Sequence, residues 1–187
     1  GSFSNTMDYV TVAVPSATAT DFGDLITAMN SSAGVSSETR GIMGGGNNGS
    51  NVSNMEFITI ATAGTGTDFG DLSQARHSPA GVSSGTRGVW GGGYAGGNVN
   101  TIDYVTIDAN PTANATDFGD LTVARRQLAG CGSTTRGLFG GGYASGHVNT
   151  IDYITIDTTP TCTDFGNLTR SNNVLGACSS NTRGIWG

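Results

Sequence analysis

Short apolar segments that alternate with polar residues recur along the whole chain, separated by clusters of Gly, Ser, Thr, Asn and Pro. Residues 101–108 alternate with a period of two, which is typical of a strand with one buried face. No segment keeps a helical period, and small, polar and β-branched residues dominate each segment. The pattern predicts an all-β protein.

The chain consists of four copies of one unit of about 48 residues. The motif Asp-Phe-Gly recurs with spacings of 47, 49 and 47, and so does Thr-Arg-Gly. Each unit divides into four segments: A is small and semi-polar, B carries the arginine and then glycines, C alternates, and D contains Asp-Phe-Gly. Four strands in a repeat of about 40 to 50 residues are typical of a β-propeller blade. The repeated residues are Asp21, Asp68, Asp117 and Asp164, and Arg40, Arg87, Arg136 and Arg183.

These repeats resemble the kelch family. A kelch blade has an arginine in the turn before its first strand, a double glycine ending the second strand, and aromatic residues in the third and fourth strands. The residues that match are Arg76 and Arg125, Gly44-Gly45, Gly91-Gly92 and Gly140-Gly141, Tyr104 and Tyr153, and Phe22, Phe69, Phe118 and Phe165. The fourth-strand position is usually Trp in that family, so Phe suggests tighter blade packing. The amino-acid sequence of the repeats is also similar to glycine-rich kelch-like repeats of bacteriophage and marine-microbe surface proteins.

The resemblance and the order of segments predict one propeller domain over residues 1–187. The units cover about 30–76, 77–125 and 126–170, and a split unit combines 171–187 with 1–29. We expect the C-terminal strands A and B to join the N-terminal strands C and D, which gives four blades. Small residues in segment A favour a small ring, because four inner strands crowd the axis. Excision from a longer array, or a larger ring of several copies, stays open as an alternative.

Composition and charge exclude several classes of protein. The chain has 8 basic residues, all of them Arg, against 14 acidic ones, and its net charge is −6. Nucleic-acid binding needs a basic field, so we expect no nucleic-acid partner. The N-terminus shows no basic-then-apolar pattern and no apolar run approaches 18 residues, so we expect neither a signal peptide in this sequence nor membrane insertion. Low charge with abundant Gly, Ser, Thr and Asn favours an extracellular or virion surface location.

Three cysteines do not make a disulfide framework. Cys131 and Cys178 align with Val35 and Val82, so we interpret them as small buried residues. Cys162 lies in the turn between segments C and D and is expected to be free.

Several motifs that suggest chemistry have structural interpretations. Asp-Phe-Gly binds magnesium in protein kinases, but this chain has no His-Arg-Asp loop and no lysine. We therefore expect Phe to fill space between blades, Gly to permit a bend, and Asp to cap a turn. One Asp pair per blade supplies too few oxygens for calcium, so we expect no metal and no cofactor. The arginines of Thr-Arg-Gly are periodic, and we expect them to donate to carbonyls or carboxylates of the next blade.

Non-periodic residues are better candidates for binding. In an antiparallel meander, the D–A and B–C loops emerge on the same face. Arg, amide and aromatic side chains there suit sugar hydroxyls, carboxylated glycans or acidic peptides, and loops on a rigid scaffold often carry binding. The candidate residues are Arg76, His77, Tyr94, Asn98, Arg125, Arg126, Tyr143, His147 and Arg170.

Three functions are therefore compared. The first is a non-catalytic binding module for a glycan or another host cell-surface molecule, as part of a virion or adhesin. The second is a structural scaffold that self-associates and has no small ligand. The third is an enzyme that depends on His77 or His147, but neither histidine recurs between repeats, so we expect no catalytic residues.

Overall fold

A computed structural model describes residues 2–14, 18–110, 112–158 and 162–187, and its regular elements are all strands. The all-β prediction is confirmed. The described residues contain no helix that is long and apolar enough to cross a membrane. Gly1, which belongs to the predicted split unit, lies outside the described residues.

Three units form complete four-stranded antiparallel sheets, and two further strand pairs lie at the ends of the chain. The N-terminal half-sheet contains β1 (Ser4–Tyr9) and β2 (Thr20–Met29). Sheet 1 contains β3 (Ala33–Ser36), β4 (Arg40–Asn47), β5 (Asn51–Thr59) and β6 (Thr67–Asp71). Sheet 2 contains β7 (Ala80–Ser83), β8 (Arg87–Gly91), β9 (Thr101–Thr106) and β10 (Thr116–Asp120). Sheet 3 contains β11 (Ala129–Gly132), β12 (Arg136–Gly140), β13 (Thr150–Thr155) and β14 (Thr163–Asn167). The C-terminal half-sheet contains β15 (Ala177–Ser179) and β16 (Gly184–Trp186).

The Asp-Phe-Gly motif forms a β-bulge in the last strand of a sheet. In β10 the register shifts between Asp117 and Gly119, and Gly119 has a φ of 121°. The backbone N–H of Gly119 donates to Asp117 Oδ1 at 2.8 Å, and Phe118 is buried in the core beside it. Glycine is required because other residues rarely adopt such a φ. The structural interpretation of this motif is confirmed.

Neighbouring sheets approach each other through glycines. The indole of Trp90 in sheet 2 lies on Gly44 of sheet 1, so a Cβ added at Gly44 would be 2.9 Å from the ring. Phe139 lies in the same way on Gly91, and Trp186 on Gly140. The Trp90 indole also donates to the carbonyl of Ala33 at 2.9 Å. Each interface therefore places an aromatic ring on a glycine, and in the two tryptophan interfaces the indole N–H also has a carbonyl partner.

A line of backbone hydrogen bonds also links the sheets at the boundaries between units. Ser31, Ser78, Gln127 and Val174 all have a φ between 54° and 57°. The backbone N–H groups of the last three donate to the carbonyl of the equivalent residue in the preceding unit, at 2.7 Å from Ser78, 3.1 Å from Gln127 and 3.0 Å from Val174. Left-handed backbone costs about 1 kcal/mol or more per non-glycine residue, so the surrounding contacts must hold it in place.

The described sheets form an open array. β2 packs against β6 of sheet 1, and β15 packs against β11 of sheet 3. Among the described residues, the N-terminal half-sheet makes no hydrogen-bonded pair with the C-terminal half-sheet, so no sheet is closed there. The structure thus confirms four-stranded antiparallel units, whereas the closed four-bladed ring stays a prediction.

The three cysteines are free and lie in different environments. Cys131 is buried as predicted, and burial raises the pKa of its thiol to about 11. Cys162 is half-buried in the core of sheets 2 and 3, and burial raises its pKa to about 12. Cys178 is exposed, so the prediction that it is buried is wrong. Val35 and Val82, its equivalents, are covered by the next sheet, and β15 is the last inner strand of the described array.

We expect Cys178 to be alkylated first at pH 8, with Cys131 and Cys162 at least about tenfold slower. The reason is that only the thiolate reacts, and a raised pKa leaves little thiolate at that pH. The measurement is a short iodoacetamide pulse followed by site-resolved mass spectrometry. A pulse in denaturant is the control and should equalise the three rates, while equal rates in native protein would contradict the assignment.

Candidate functional site

Arg76 and Arg125 form buried ion pairs and do not lie on the candidate binding face. Arg76 Nη2 lies 3.1 Å from Asp103 Oδ2, Arg125 Nη1 lies 2.9 Å from Asp152 Oδ2, and all four side chains are 0% exposed. Each arginine also donates to a backbone carbonyl of the second strand of its sheet, at Trp90 and Phe139. Burial lowers the pKa of Arg76, and Asp103 opposes that shift. The expectation that these two arginines contact a ligand is therefore corrected.

Sheet 1 satisfies the equivalent carboxylate without an arginine. Glu56 takes the place of Asp103, and Met29 takes the place of Arg76. The carboxylate of Glu56 accepts the backbone N–H of Ile26 at 2.6 Å and of Thr27 at 3.0 Å. In sheet 2, Asp103 accepts from the backbone N–H and the hydroxyl of Ser73 instead. The longer Glu side chain thus reaches a second amide where the guanidinium is missing.

Two of the four arginines of Thr-Arg-Gly, Arg40 and Arg87, connect neighbouring sheets as the sequence predicted, whereas Arg136 and Arg183 are exposed and their side chains donate to no other unit among the described residues. Arg40 Nη1 donates to the carbonyl of Ile107 in the next unit at 2.9 Å, and its guanidinium lies 4.3 Å from the centre of the Phe57 ring. Arg87 repeats the arrangement with the carbonyl of Ile156 at 2.9 Å and the Tyr104 ring at 4.3 Å. These side chains stabilise the stack of sheets and are not available to a ligand.

The D–A and B–C loops meet on one face, as predicted. The backbones of His77 and Tyr94 pair with each other, and so do those of Arg126 and Tyr143. In sheet 1 the same backbone pairing joins Asn30 and Asn47, so the geometry is periodic and the side chains are not. Large aromatic and basic residues therefore project from equivalent positions only at sheets 2 and 3.

The side chains on this face form a row that we call the aromatic ladder. Arg126 is at its centre, with its guanidinium 4.9 Å from the Tyr94 ring and 5.0 Å from the Tyr143 ring. A histidine ring lies beside each tyrosine, at centroid distances of 5.3 Å and 5.8 Å. Cation–π contacts of this kind contribute about 0.5–2 kcal/mol each, depending on exposure. The ladder consists of His77, Tyr94, Arg126, Tyr143 and His147.

Asn98 holds the ladder in place. Its Nδ2 donates to the carbonyl of Ala144 at 2.7 Å, and its Oδ1 accepts from Arg126 Nη1 at 3.0 Å. Both groups of the amide are therefore used, and the B–C loop of sheet 2 is tied to that of sheet 3. Arg170 is exposed and lies outside the ladder.

The ladder face is basic on an acidic protein. The D–A and B–C loops contain no Asp or Glu, although the chain has 14 acidic residues. The pKa of His77 is lowered by burial and by the charge of Arg126, which favours the neutral ring at pH 7. Among the described residues, no group of three His, Cys, Asp or Glu side chains could hold a metal ion. The ladder offers one fixed cation, aromatic rings and amides.

The structure and the ladder define an all-β repeat protein of four-stranded antiparallel sheets with a basic aromatic row on one face. No protein-family model matches the chain, and a search of curated proteins finds no significant match.

Replacing Arg76 by Met should lower the free energy of unfolding by about 3–5 kcal/mol, because Asp103 is left as a buried unpaired charge. The combination Ser73→Ile, Arg76→Met and Asp103→Glu copies sheet 1, and we expect it to recover part of that loss. Denaturant unfolding of the single, double and triple variants measures the coupling. If the losses of unfolding free energy of the single variants simply add up in the triple variant, the Glu56 and Met29 arrangement of sheet 1 does not replace the ion pair.

Proposed function

We propose that this chain is a non-catalytic binding module of kelch-like propeller type, and that its aromatic ladder binds a glycan on a host cell surface. The supporting observation is the ladder itself, in which aromatic and basic side chains replace asparagine at backbone positions that repeat in every described sheet. A role in repeat packing would call for the same residue types in sheet 1. The variation therefore supports a ligand as the reason for these residues.

The chemistry of the ladder suits a saccharide. Tyrosine rings provide apolar surface with a polar end, and amide and guanidinium groups donate to hydroxyls. His77 and His147 lie at opposite ends of the row, with Tyr94, Arg126 and Tyr143 between them. That separation supports binding over acid–base catalysis, which needs two groups at one reacting atom. Low charge and many small polar residues support a place on a virion or an adhesin.

Replacing Tyr143 by Leu should weaken binding to a responsive glycan at least about tenfold, because the ring supports Arg126 and supplies contact surface. The measurement is a glycan array followed by titration of the best binders. Tyr9→Leu is the matched control, since Tyr9 is exposed on β1 and far from the ladder in the repeat. Equal loss in both variants, or no binding by folded wild-type protein, would contradict the proposal.

Assembly is a second candidate, and it is favoured by apolar residues exposed on the half-sheets. Val12 is 95% exposed, whereas its equivalents are 44% exposed at Ile60 and 0% exposed at Ile107 and Ile156. Ile185 on β16 is 60% exposed, whereas its equivalent Val89 is 0% exposed. Exposed apolar surface of this extent is typical of an interaction site.

The sequences of the two half-sheets contain the residue pair that links neighbouring units in the complete sheets. In sheet 3, Asp152 of β13 accepts from the backbone N–H and the hydroxyl of Thr122 in the preceding unit. The equivalent pair across the half-sheets is Asp8 and Thr169. A cavity of about 860 Å³ beside β1 is lined by Tyr9, Phe22 and Ile42 among others, where complete sheets have their first two strands. We propose that β15 and β16 join β1 and β2 as the fourth blade of a ring.

A cysteine pair tests this blade. In sheet 3, Leu138 lies opposite Tyr153, and the equivalent residues are Ile185 and Tyr9. In a chain without its native cysteines, Ile185→Cys with Tyr9→Cys should form a disulfide within a monomer. The matched control is Ile185→Cys with Val10→Cys, because neighbouring strand residues point to opposite faces.

The mass of the oxidised protein, measured under native and denaturing conditions, shows whether the disulfide lies within one chain or between two chains. A disulfide within one chain supports the four-bladed ring. A disulfide between chains would replace the ring by an assembly of copies, and no preference over the Val10 control in folded protein would contradict both.

A further inference from the structure

Arg126 carries a charge that no carboxylate of the described chain balances. The two ion pairs among the described residues are those of Arg76 and Arg125, and both are buried. The loops around Arg126 contain no acidic residue. Arg125, its direct neighbour, is neutralised by Asp152, so Arg126 dominates the local charge.

The position of the Arg126 guanidinium is fixed before any ligand arrives. Two tyrosine rings lie at 4.9 Å and 5.0 Å from it, and its Nη1 donates to Asn98 Oδ1 at 3.0 Å. Asn98 is itself held by the carbonyl of Ala144, so the guanidinium cannot turn freely. A side chain ordered in the free protein loses little conformational entropy on binding.

The remaining donors of Arg126 are open to a ligand. A guanidinium has five N–H donors in one plane, and the described contacts use only Nη1. Buried nitrogen atoms without a partner occur on Arg76 and Arg125 but not on Arg126. Since Arg126 is half-buried, its other N–H groups keep some access to solvent.

A planar anion fits these N–H groups best. A carboxylate can accept two parallel N–H bonds in the plane of a guanidinium, which a sulfate or a hydroxyl does less well. The nearby His77 is disposed to be neutral at pH 7, so it offers hydrogen bonds to hydroxyls without adding charge. We infer that the aromatic ladder takes an acidic saccharide whose carboxylate pairs with Arg126. This inference rests on the proposed glycan-binding function and names its ligand class.

The test compares oligosaccharides that differ only in the acidic group. A uronic-acid oligosaccharide, its methyl ester and a sulfated oligosaccharide of equal length are titrated into the 187-residue chain, and an oligoglutamate peptide is the fourth probe. We expect the carboxylate form to bind at least about tenfold more tightly than the ester, and raised salt to weaken it.

Variants test whether the preference for the carboxylate over the ester depends on Arg126. Arg126→Gln should abolish the preference for the carboxylate over the ester, and Arg126→Lys should retain only part of it because a point charge cannot pair at two oxygens. Asn98→Asp supplies a carboxylate to Arg126 within the protein and should remove the preference without unfolding the chain. Arg170→Gln is the matched control and should bind as wild type. Near-ultraviolet circular dichroism and the unfolding midpoint confirm that each variant is folded.

Each outcome decides between the two proposals. Equal binding of carboxylate and ester would overturn the inference and leave the glycan-binding function in place. Binding of the peptide alone, or of the sulfated form above the carboxylate, would also overturn it. No binding of any saccharide by the folded chain would overturn both.

Discussion

The close approach of neighbouring sheets, ring against glycine, is the constraint on which the rest of this structure depends. Trp90 on Gly44, Phe139 on Gly91 and Trp186 on Gly140 bring neighbouring sheets into close contact at three interfaces. Within this packing, Arg40 and Arg87 reach carbonyls of the next unit at 2.9 Å. The aromatic ladder crosses an interface of this kind, so its geometry also depends on the glycines.

The repeats show two ways to bury a carboxylate at one position. Asp103 and Asp152 use an arginine and a hydroxyl, whereas Glu56 uses two backbone amides. Buried ion pairs gain little net stability, because desolvation offsets most of the attraction. Their replacement in sheet 1 is consistent with that balance. The pairs therefore tie each D–A loop to the third strand of a sheet and add little net stability beyond the burial they permit.

The sequence predicted the parts of the structure that repeat. Period-two alternation and the spacing of Asp-Phe-Gly predicted four strands per unit, because local backbone chemistry determines strands and bulges. Arg76 and Arg125 were assigned to the binding face because loop position alone does not reveal burial. A signal was present in the sequence, since Asp103 and Asp152 each follow their arginine by 27 residues. The residues of the ladder were among the predicted candidates, but their mutual contacts could not be predicted, because Arg126 contacts tyrosines of two units whose packing the sequence does not reveal.

Main-chain hydrogen bonds join each unit to the next at Ser31, Ser78, Gln127 and Val174, and this affects how such proteins diversify. The joint is made by main-chain atoms alone, and four positions with three different residue types adopt the same geometry. This part of the contact between units therefore does not depend on the identity of the side chains, although the ring-on-glycine contacts still do. Duplication or exchange of whole units leaves the joint intact, while the adjacent loop residues are free to acquire new specificities.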